Sequence, residues 1–279
     1  MYYLLIALAA LLFSSQFMFN NGFQKENETG WNSTVKLTFY TSVIGFVITL
    51  IVNKFALDFS LFSWGIATIY AFVCILLNYC TIKAFEYASL SVYSVFSMIG
   101  GMALPFVYGL TKGEELKLSK IICFLLIALS ILLMIKRDKK SNKAFIYYMG
   151  VFILNGMVGV ISSYHQSKTS LCVDSGSFLM LTKIIMMVLS LMVMLKTKDC
   201  KLNVKSCLYC VGISGFNSIG NLMLLFALLH LPTSVQYPML TGGTIVFSFL
   251  IDLIRKEKVS LRGIIAVIIA FISSIFMAM

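Results

Sequence analysis

Two lysines lie inside long apolar stretches of this chain, where a charged side chain needs a physical reason. Lys36 belongs to the segment TVKLTFY and Lys183 to the segment LTKIIMM, and each segment carries that one charge. An ammonium group in hydrocarbon costs about 2.5 kcal/mol or more unless it reaches the membrane surface or faces a polar cavity. The two lysines are therefore either side chains that extend to the surface or inward-facing groups that bind a carboxylate, phosphate or other anion.

A tyrosine and a histidine end another apolar run. Tyr164 and His165 stand just before Gln166. Because imidazole titrates near neutral pH, His165 would suit a proton-coupled step. The other interpretation is an interfacial histidine within a tyrosine-bearing headgroup belt. The second histidine, His230, stands in the short segment HLP and is predicted to be a loop residue.

Amide and tyrosine side chains within the apolar runs extend the set of groups that could bind a solute. An amide without a partner in lipid is costly, so we expect these side chains to hydrogen-bond neighbouring helices or to face a wet cavity. Tyr237 also precedes Pro238, which frees a backbone carbonyl in that segment. The predicted substrate-binding residues are Gln16, Tyr40, Asn78, Tyr79, Tyr93, Asn155, Tyr164, His165, Lys183, Asn217, Asn221, Gln236 and Tyr237.

The composition places these groups in a membrane protein. The 279-residue chain is 59% hydrophobic and 12% charged, whereas soluble domains are about 45–50% apolar and 25% charged. Its mean hydropathy is +0.94. Ten apolar runs are long enough to span a bilayer as helices, and they lack the alternation of a membrane barrel. The first run has no basic n-region and no cleavage site, so we expect it to be a retained helix. The predicted spans are residues 2–20, 33–53, 63–82, 88–110, 119–135, 144–164, 177–195, 206–228, 233–254 and 261–278.

One sequence pattern occurs twice. GGMALPFVYGLTKGEE at residues 100–115 and GGTIVFSFLIDLIRKE at residues 242–257 share a double glycine, an apolar run and a closing glutamate. If each copy belongs to a five-helix repeat, the odd number of helices turns the second repeat upside down, as in many secondary transporters. Glu115 and Glu257 are then expected at opposite surfaces of the bilayer.

The repeat divides the chain into two halves. The predicted units are an N-terminal five-helix repeat at residues 1–135 and a C-terminal five-helix repeat at residues 144–279. The segment KRDKKSNK at residues 136–143 is predicted to be a basic linker between them.

These features resemble the drug/metabolite transporter superfamily, in its EamA-like branch. Members have ten helices in two repeats, each with a glutamate and a basic-polar stretch before the closing helix, matched here by TKGEELKLSK and IRKEKVSLRG. The family's basic residue early in the second helix of each repeat is matched by Lys36 and Lys183. The resemblance covers essentially the whole chain. It implies an all-α membrane protein of ten transmembrane helices arranged as two inverted five-helix repeats.

The net charge of +11 is concentrated in short loops between the spans. No aromatic-interleaved basic module accompanies it, so anionic lipid headgroups explain this charge better than nucleic acid does. With the two span lysines set aside, fifteen Lys and Arg lie in odd-numbered loops and five in even-numbered ones. The positive-inside rule then places the odd loops in the cytoplasm. The family's usual arrangement implies the opposite, and the orientation stays open.

No sequence motif points to catalysis or to a bound metal. The seven cysteines include the pair Cys207 and Cys210 in a CxxC arrangement, but no further ligand pair stands near it, and buried packing cysteines are expected. A Gly-rich phosphate loop, a nucleophile elbow and an HExxH motif are all absent from the sequence. We therefore expect neither an enzyme nor a protein with a cofactor.

The sequence thus predicts a secondary transporter that moves a small polar organic metabolite, amino-acid-like or related, by alternating access. A sugar or nucleotide-sugar carrier is one alternative, and a non-transporting membrane subunit or lipid-modifying protein is another. We expect a midplane cavity lined by spans one, three, four, six, eight and nine, with Lys183 as the leading anion-binding group. The expected location is multi-pass in the plasma or inner membrane. The expected partners are the substrate and the lipid bilayer, and a homodimer is left open.

Overall fold

Ten α-helices form the described part of the chain, which contains no strand. The computed structural model describes residues 2–87, 89–111, 118–134, 139–168, 170–228, 233–257 and 261–278. The helices are α1 (Tyr2–Glu26), α2 (Trp31–Val52), α3 (Leu61–Phe85), α4 (Leu90–Leu110), α5 (Leu118–Met134), α6 (Lys139–Gln166), α7 (Ser175–Thr197), α8 (Val204–Leu228), α9 (Thr233–Ile254) and α10 (Leu261–Ala278). Each predicted span corresponds to one helix. Helix α6 begins within the segment 136–143 that the sequence assigns to a linker.

Several of these helices are long and apolar enough to cross a membrane. Among the described residues there are six: α1, α2, α3, α4, the Ala144–Gln166 part of α6, and α7. Shorter apolar segments occur in α5, α9 and α10. A helix satisfies its own backbone hydrogen bonds, which is what a chain in hydrocarbon requires. The lengths and compositions indicate a helical membrane protein.

Small hydroxyl residues lie inside the bundle, and large apolar residues cover much of its outside. Ser14 and Thr38 are fully buried, whereas Leu4 and Met192 expose 64% and 63% of their surface. The buried hydroxyl of Ser14 donates to the carbonyl oxygen of Ala10 at 2.9 Å, which satisfies it within its own helix. Such extensive apolar exposure is typical of a surface in contact with lipid.

The helix neighbours follow a regular pattern. Helix α1 packs against α8 and α9, and α2 packs against α7 and α8. If each helix is replaced by the one at the same position in the other set of five (α1 by α6, α8 by α3, and so on), these pairs become α6–α3, α6–α4, α7–α2 and α7–α3. All of those pairs are also in contact. The pairs α2–α7, α5–α10 and α4–α9 map onto themselves under the same replacement. Helices from before and after residue 136 are therefore interleaved throughout the bundle.

Loops after odd-numbered helices meet at one end of the bundle, which we call the odd-loop end. Lys25 at the end of α1 forms an ion pair with Glu257 after α9, with a distance of 2.8 Å between Nζ and Oε1. Lys205 at the start of α8 forms another with Glu26. Both pairs connect a helix of the first five with a helix or loop of the last five.

Loops after even-numbered helices meet at the opposite end, which we call the even-loop end. Asn53 after α2 donates from Nδ2 to Asp174 Oδ2 at 3.4 Å. The backbone N–H of Asp58 donates to Ser177 Oγ at 2.9 Å. Asp174 also caps α7 by accepting from the Ser177 N–H at 3.0 Å. The loops α2–α3 and α6–α7 are therefore joined by hydrogen bonds that involve α7's first turn.

Candidate functional site

Lys183 lies in the interior of the bundle beside a glycine that makes room for it. A methyl group at Gly45 of α2 would lie 3.2 Å from Lys183 Cε and 3.6 Å from its Nζ. The lysine is only partly exposed. Within the described chain, no hydrogen bond or ion pair reaches its ammonium. Lys183 is about 12 Å from the start of α7, at 1.5 Å per residue, and so lies well inside the helix.

Two more helices complete the surroundings of this ammonium. Cys74 on α3 packs against the buried apolar cluster that includes Leu181 and Ile185, the residues two positions on either side of Lys183. Ser214 on α8 lies 3.1 Å from the position of a methyl group at Gly45, and its hydroxyl donates to the carbonyl oxygen of Thr41 at 2.6 Å. We call Gly45, Cys74, Lys183 and Ser214 the Lys183 cluster. It brings together α2 and α3 from the first half and α7 and α8 from the second.

Three predicted amide side chains, two on α8 and one on α1, form a chain of hydrogen bonds further along α8 from Ser214. Asn217 donates from Nδ2 to Gln16 Oε1 of α1 at 3.0 Å. Asn221 donates from Nδ2 to the Asn217 carbonyl at 2.8 Å and to Asn217 Oδ1 at 3.2 Å. Because Ser214, Asn217 and Asn221 are three and four residues apart, they share one face of α8. We call Gln16, Asn217 and Asn221 the amide ladder, and it continues the polar face that Ser214 begins.

Asn78 stands one turn beyond Cys74 on α3. Its Nδ2 donates to Thr38 Oγ1 of α2 at 3.0 Å. A side chain four residues on along a helix lies on the same face. Asn78 therefore links α3 to α2 beside the Lys183 cluster.

Other predicted residues stabilise contacts between α3, α4 and α6. Asn155 of α6 donates from Nδ2 to the Ser97 carbonyl of α4 at 2.6 Å. The Tyr93 hydroxyl lies 3.0 Å from Thr81 Oγ1, and both are buried. Tyr79 packs its ring against Trp31 and Tyr147, at centroid distances of 5.8 Å and 6.2 Å. The contacts of these predicted residues are with helix neighbours rather than with Lys183.

Tyr40 and Lys36 lie at the odd-loop end. The Tyr40 hydroxyl donates to the Cys200 carbonyl at 3.1 Å. Lys36 Nζ lies 2.5 Å from Asp199 Oδ1 and donates to the Lys201 carbonyl at 3.2 Å. The two lysines that correspond in sequence therefore differ in the structure. Lys36 is paired with the α7–α8 loop, and Lys183 has no described partner.

His165 is buried at the even-loop end, with 1% of its surface exposed. Its Nε2 lies 2.9 Å from Ser63 Oγ of α3, and that oxygen accepts the Val173 N–H at 3.0 Å. The imidazole stacks on Phe178 with a centroid distance of 4.0 Å. Tyr164 is half-buried, with the Lys168 Nζ 6.0 Å from its ring centroid. The histidine therefore links α6 to α3 and α7 and is not exposed.

Four residues named in the sequence predictions fall outside what the structure describes. The side chains of Gln236 and Tyr237 in α9 lie outside the described residues, as do His230 and Glu115 entirely. The predicted placement of Glu115 and Glu257 at opposite surfaces therefore stays a prediction.

A polar cavity of about 270 Å³ opens at the odd-loop end. It lies between the ends of α1 and α9, the α3–α4 loop and the start of α4. Its lining residues are Asn21, Lys25, Phe85, Glu86, Tyr87, Ser89, Leu90, Asp252 and Glu257. A hydrogen bond from Lys25 lowers the pKa of the Glu257 carboxyl, and it outweighs the opposite effect of partial burial. The charges of Lys25 and Arg255 add to this lowering.

Asp252 is the buried carboxylate of this cavity, with 1% of its surface exposed. It accepts the backbone N–H of Leu90 at 3.2 Å and that of Ser91 at 2.7 Å. The Ser91 hydroxyl donates to the same Oδ2 at 2.7 Å. An anion at the first turn of a helix satisfies free N–H groups and matches the helix dipole. Asp252 therefore caps α4 from α9, which local sequence does not reveal because the partners are far apart in the chain.

At the even-loop end, Asp174 is an exposed carboxylate that caps α7. Burial raises the pKa of the Asp174 carboxyl, but hydrogen bonds from Ser177, Gly176 and Asn53 outweigh it and keep that pKa below its ordinary value.

Across the described residues, no group of three His, Cys, Asp or Glu side chains is arranged to hold a metal ion.

Comparisons with known proteins support the fold alone. No family model matches the chain, and no curated protein is similar to it. Among solved structures, 27 chains match. One of them, described only as a crystal structure of a protein, has a TM-score of 0.63 and covers 97% of this chain and 95% of its own length at 12% sequence identity. At that identity the likeness concerns the arrangement of the helices and not the activity.

Proposed function

We propose that this protein is a secondary transporter that moves a small polar organic metabolite across the cell membrane by alternating access. The observation that carries the proposal is Lys183, an ammonium inside the bundle with no partner in the described chain. Charged groups at membrane depth are costly and mark solute pathways, proton relays or ligand counter-ions. Helices α2, α3, α7 and α8 bring both halves of the sequence to this group, which suits a site between two moving units.

The proposal includes ten membrane spans in two inverted five-helix repeats, as in the EamA-like branch of the drug/metabolite transporters. It is supported by the helix contacts, because replacing each helix by its counterpart five positions away gives pairs that are also in contact. It is also supported by the doubled glycine pattern. Gly101 of α4 lies against Asn155 of α6, and Gly243 of α9 lies against Ala10 of α1, which is the equivalent helix. Inverted repeats of this kind place a substrate site at the interface of the halves.

A difference between the halves further supports alternating access. At the α4–α6 contact the backbones approach closely, because a methyl group at Gly100 would lie 2.1 Å from the Phe152 carbonyl oxygen. The equivalent glycine, Gly242 of α9, instead faces Ser274 of α10, and an apolar groove of about 490 Å³ lies between α1, α9 and α10. Two repeats in different arrangements are what a carrier needs, because exchanging the arrangements would open the site to the other side.

Counterflow in proteoliposomes tests the proposal. Vesicles that contain the purified protein and are preloaded with an unlabelled solute should accumulate the same labelled solute transiently, with no net gradient. The panel should contain amino acids, organic acids, sugars, nucleotide sugars and amines, so that the sugar and nucleotide-sugar alternatives are tested too. A carrier exchanges at least one of them. A non-transporting subunit or a lipid-modifying protein exchanges none, and that result across the panel would contradict the proposal.

A further inference from the structure

The carboxylates of the predicted spans stand near span ends, whereas Lys183 lies deep inside a helix. The sequence has 11 Asp and Glu residues, and none stands in the middle of a predicted span. Glu26 ends α1, and Asp252 lies near the end of α9, where it caps α4. Lys183 has no acidic side chain beside it in the described chain. The interior site therefore presents one positive charge and no carboxylate.

This charge pattern selects among solutes. A carboxylate on the solute would pair with the Lys183 ammonium, and charge-assisted hydrogen bonds of this kind are the strong ones. An amino group on the same solute would find no carboxylate in the helix interiors, and a buried unpaired charge is costly. A solute with two negative charges, such as a nucleotide sugar, would bring one charge more than the lysine neutralises. A single net negative charge matches the site best.

The polar face of α8 indicates what the rest of the solute carries. From Ser214 to Asn221 the face is about 10 Å long, enough for an extended chain of roughly three to six carbons. Gln16 Nε2 and Asn221 Oδ1 have no hydrogen-bond partner among the described residues. Carboxamides offer both donors and acceptors, which suits hydroxyl groups.

We propose that the transported solute is a small hydroxylated monocarboxylate without an amino group, with its carboxylate on Lys183 and its hydroxyls along Ser214 and the amide ladder. This inference rests on the transporter function proposed above. It narrows the substrate class from polar organic metabolites to organic monoanions.

Matched solutes test the inference with the full-length protein. L-Glycerate and L-serine share a three-carbon skeleton and its configuration but differ in a hydroxyl or an ammonium at one carbon. D-Gluconate, D-glucosaminate and D-sorbitol form a six-carbon set with an anion, a zwitterion and a neutral polyol. Each solute is tested for a rise in melting temperature of the detergent-purified protein and for counterflow in proteoliposomes. We expect glycerate or gluconate to act in both assays, at concentrations at least about tenfold lower than the matched zwitterion or polyol.

Variants connect the selectivity to the lysine. Lys183→Met removes the charge and keeps most of the volume, and we expect it to weaken anion binding at least about tenfold. Lys183→Arg keeps the charge and should retain part of the binding, which separates loss of charge from loss of folding. Lys196→Met is the matched control, because Lys196 is exposed in the last turn of the same helix. It should leave binding and exchange unchanged.

The outcomes distinguish this inference from the transporter function. Exchange of serine or glucosaminate as readily as of the matched anions would overturn the monoanion class and leave transport intact. Anion binding that survives Lys183→Met unchanged would overturn the role of the lysine. Absence of exchange for every solute in the broad panel would contradict the transporter function itself, and with it the inference.

Discussion

At the scale of single residues, the site depends on one lysine whose surroundings differ from those of its sequence counterpart. Lys36 lies 2.5 Å from Asp199 at the odd-loop end, whereas Lys183 lies beside Gly45 inside the bundle. Burying a charge is tolerated where a partner or a ligand compensates it. The paired lysine therefore connects two halves at the surface, and Lys183, which has no partner among the described residues, is the group proposed to bind a solute.

Asp252 gives a prediction about stability. Asp252→Ala would leave the N–H groups of Leu90 and Ser91 without their acceptor, and a buried donor without a partner costs about 1–3 kcal/mol. We expect a clearly lower melting temperature in detergent and a smaller loss for Asp252→Asn, which keeps one acceptor oxygen. Glu28→Ala is the control, because Glu28 is exposed. Equal melting temperatures for the alanine variant and the wild type would show that Asp252 does not hold α4.

Glu257 gives a prediction about pH. Its pKa is lowered in the folded protein, so its ion pair with Lys25 stabilises the fold above the ordinary glutamate pKa of about 4.3 and is lost as pH falls through the lower folded value. The difference in melting temperature between wild type and Glu257→Gln should therefore be present at neutral pH and disappear under acid conditions. A difference that persists undiminished at about pH 3 would contradict this assignment.

At the scale of helices, the ten elements could be predicted from the sequence, and their partners could not. Apolar runs of about 20 residues define spans by length alone, and every predicted span overlaps one helix. Which face of each helix turns inward depends on packing against helices far away in the chain. Gly45, Cys74 and Ser214 were therefore not predicted, since each is a small residue with no local signal. His165 was placed in the right helix, but its burial against Ser63 required the α3–α6 contact.

The close contact between α4 and α6 gives a prediction for glycine substitutions. Gly100→Ala would place a methyl group 2.1 Å from the Phe152 carbonyl oxygen, so the helices must move apart. Overpacking of this kind typically costs about 1–3 kcal/mol, and we expect a lower melting temperature. Gly215→Ala is the matched control, because no atom lies within 4 Å of an added methyl group there. The control should be neutral or slightly stabilising, since alanine favours the helix.

If Gly100→Ala both melts and exchanges solute like the wild type, the α4–α6 backbones do not approach closely. A selective loss of exchange with unchanged melting would instead indicate that the contact forms in only one conformation of the carrier.

At the scale of the whole molecule, the proposed alternating access requires the two halves to exchange their arrangements. A methyl group at Gly100 of α4 would meet the backbone of α6, whereas in the other half a groove of about 490 Å³ lies between α1, α9 and α10. Under the proposed inverted symmetry, the second conformation would close the groove and open the α4–α6 contact. Closing and opening of this kind occur by small displacements of packed helices.

Cross-linking across the groove gives a prediction about this movement. Ala7 and Val246 both line the groove, so cysteines at these positions in a cysteine-free background can be joined by short and long bismaleimides. We expect a linker that holds the groove open to stop exchange, while the same variant with only one arm reacted remains active. Full exchange by the doubly linked protein would show that the groove does not need to close.

The most direct test of the central claim uses Cys74, the native cysteine of the Lys183 cluster. A variant that retains Cys74 alone is reconstituted and treated with a membrane-impermeant thiol reagent from each side of the vesicle in turn. Alternating access predicts that Cys74 reacts with the reagent from both sides of the membrane. In a second variant, Ala7→Cys and Val246→Cys are cross-linked and Cys74 is the remaining free thiol. There we expect Cys74 to react from one side only. Reaction from a single side under every condition, or from both sides of the cross-linked protein, would contradict a carrier with its site at Lys183.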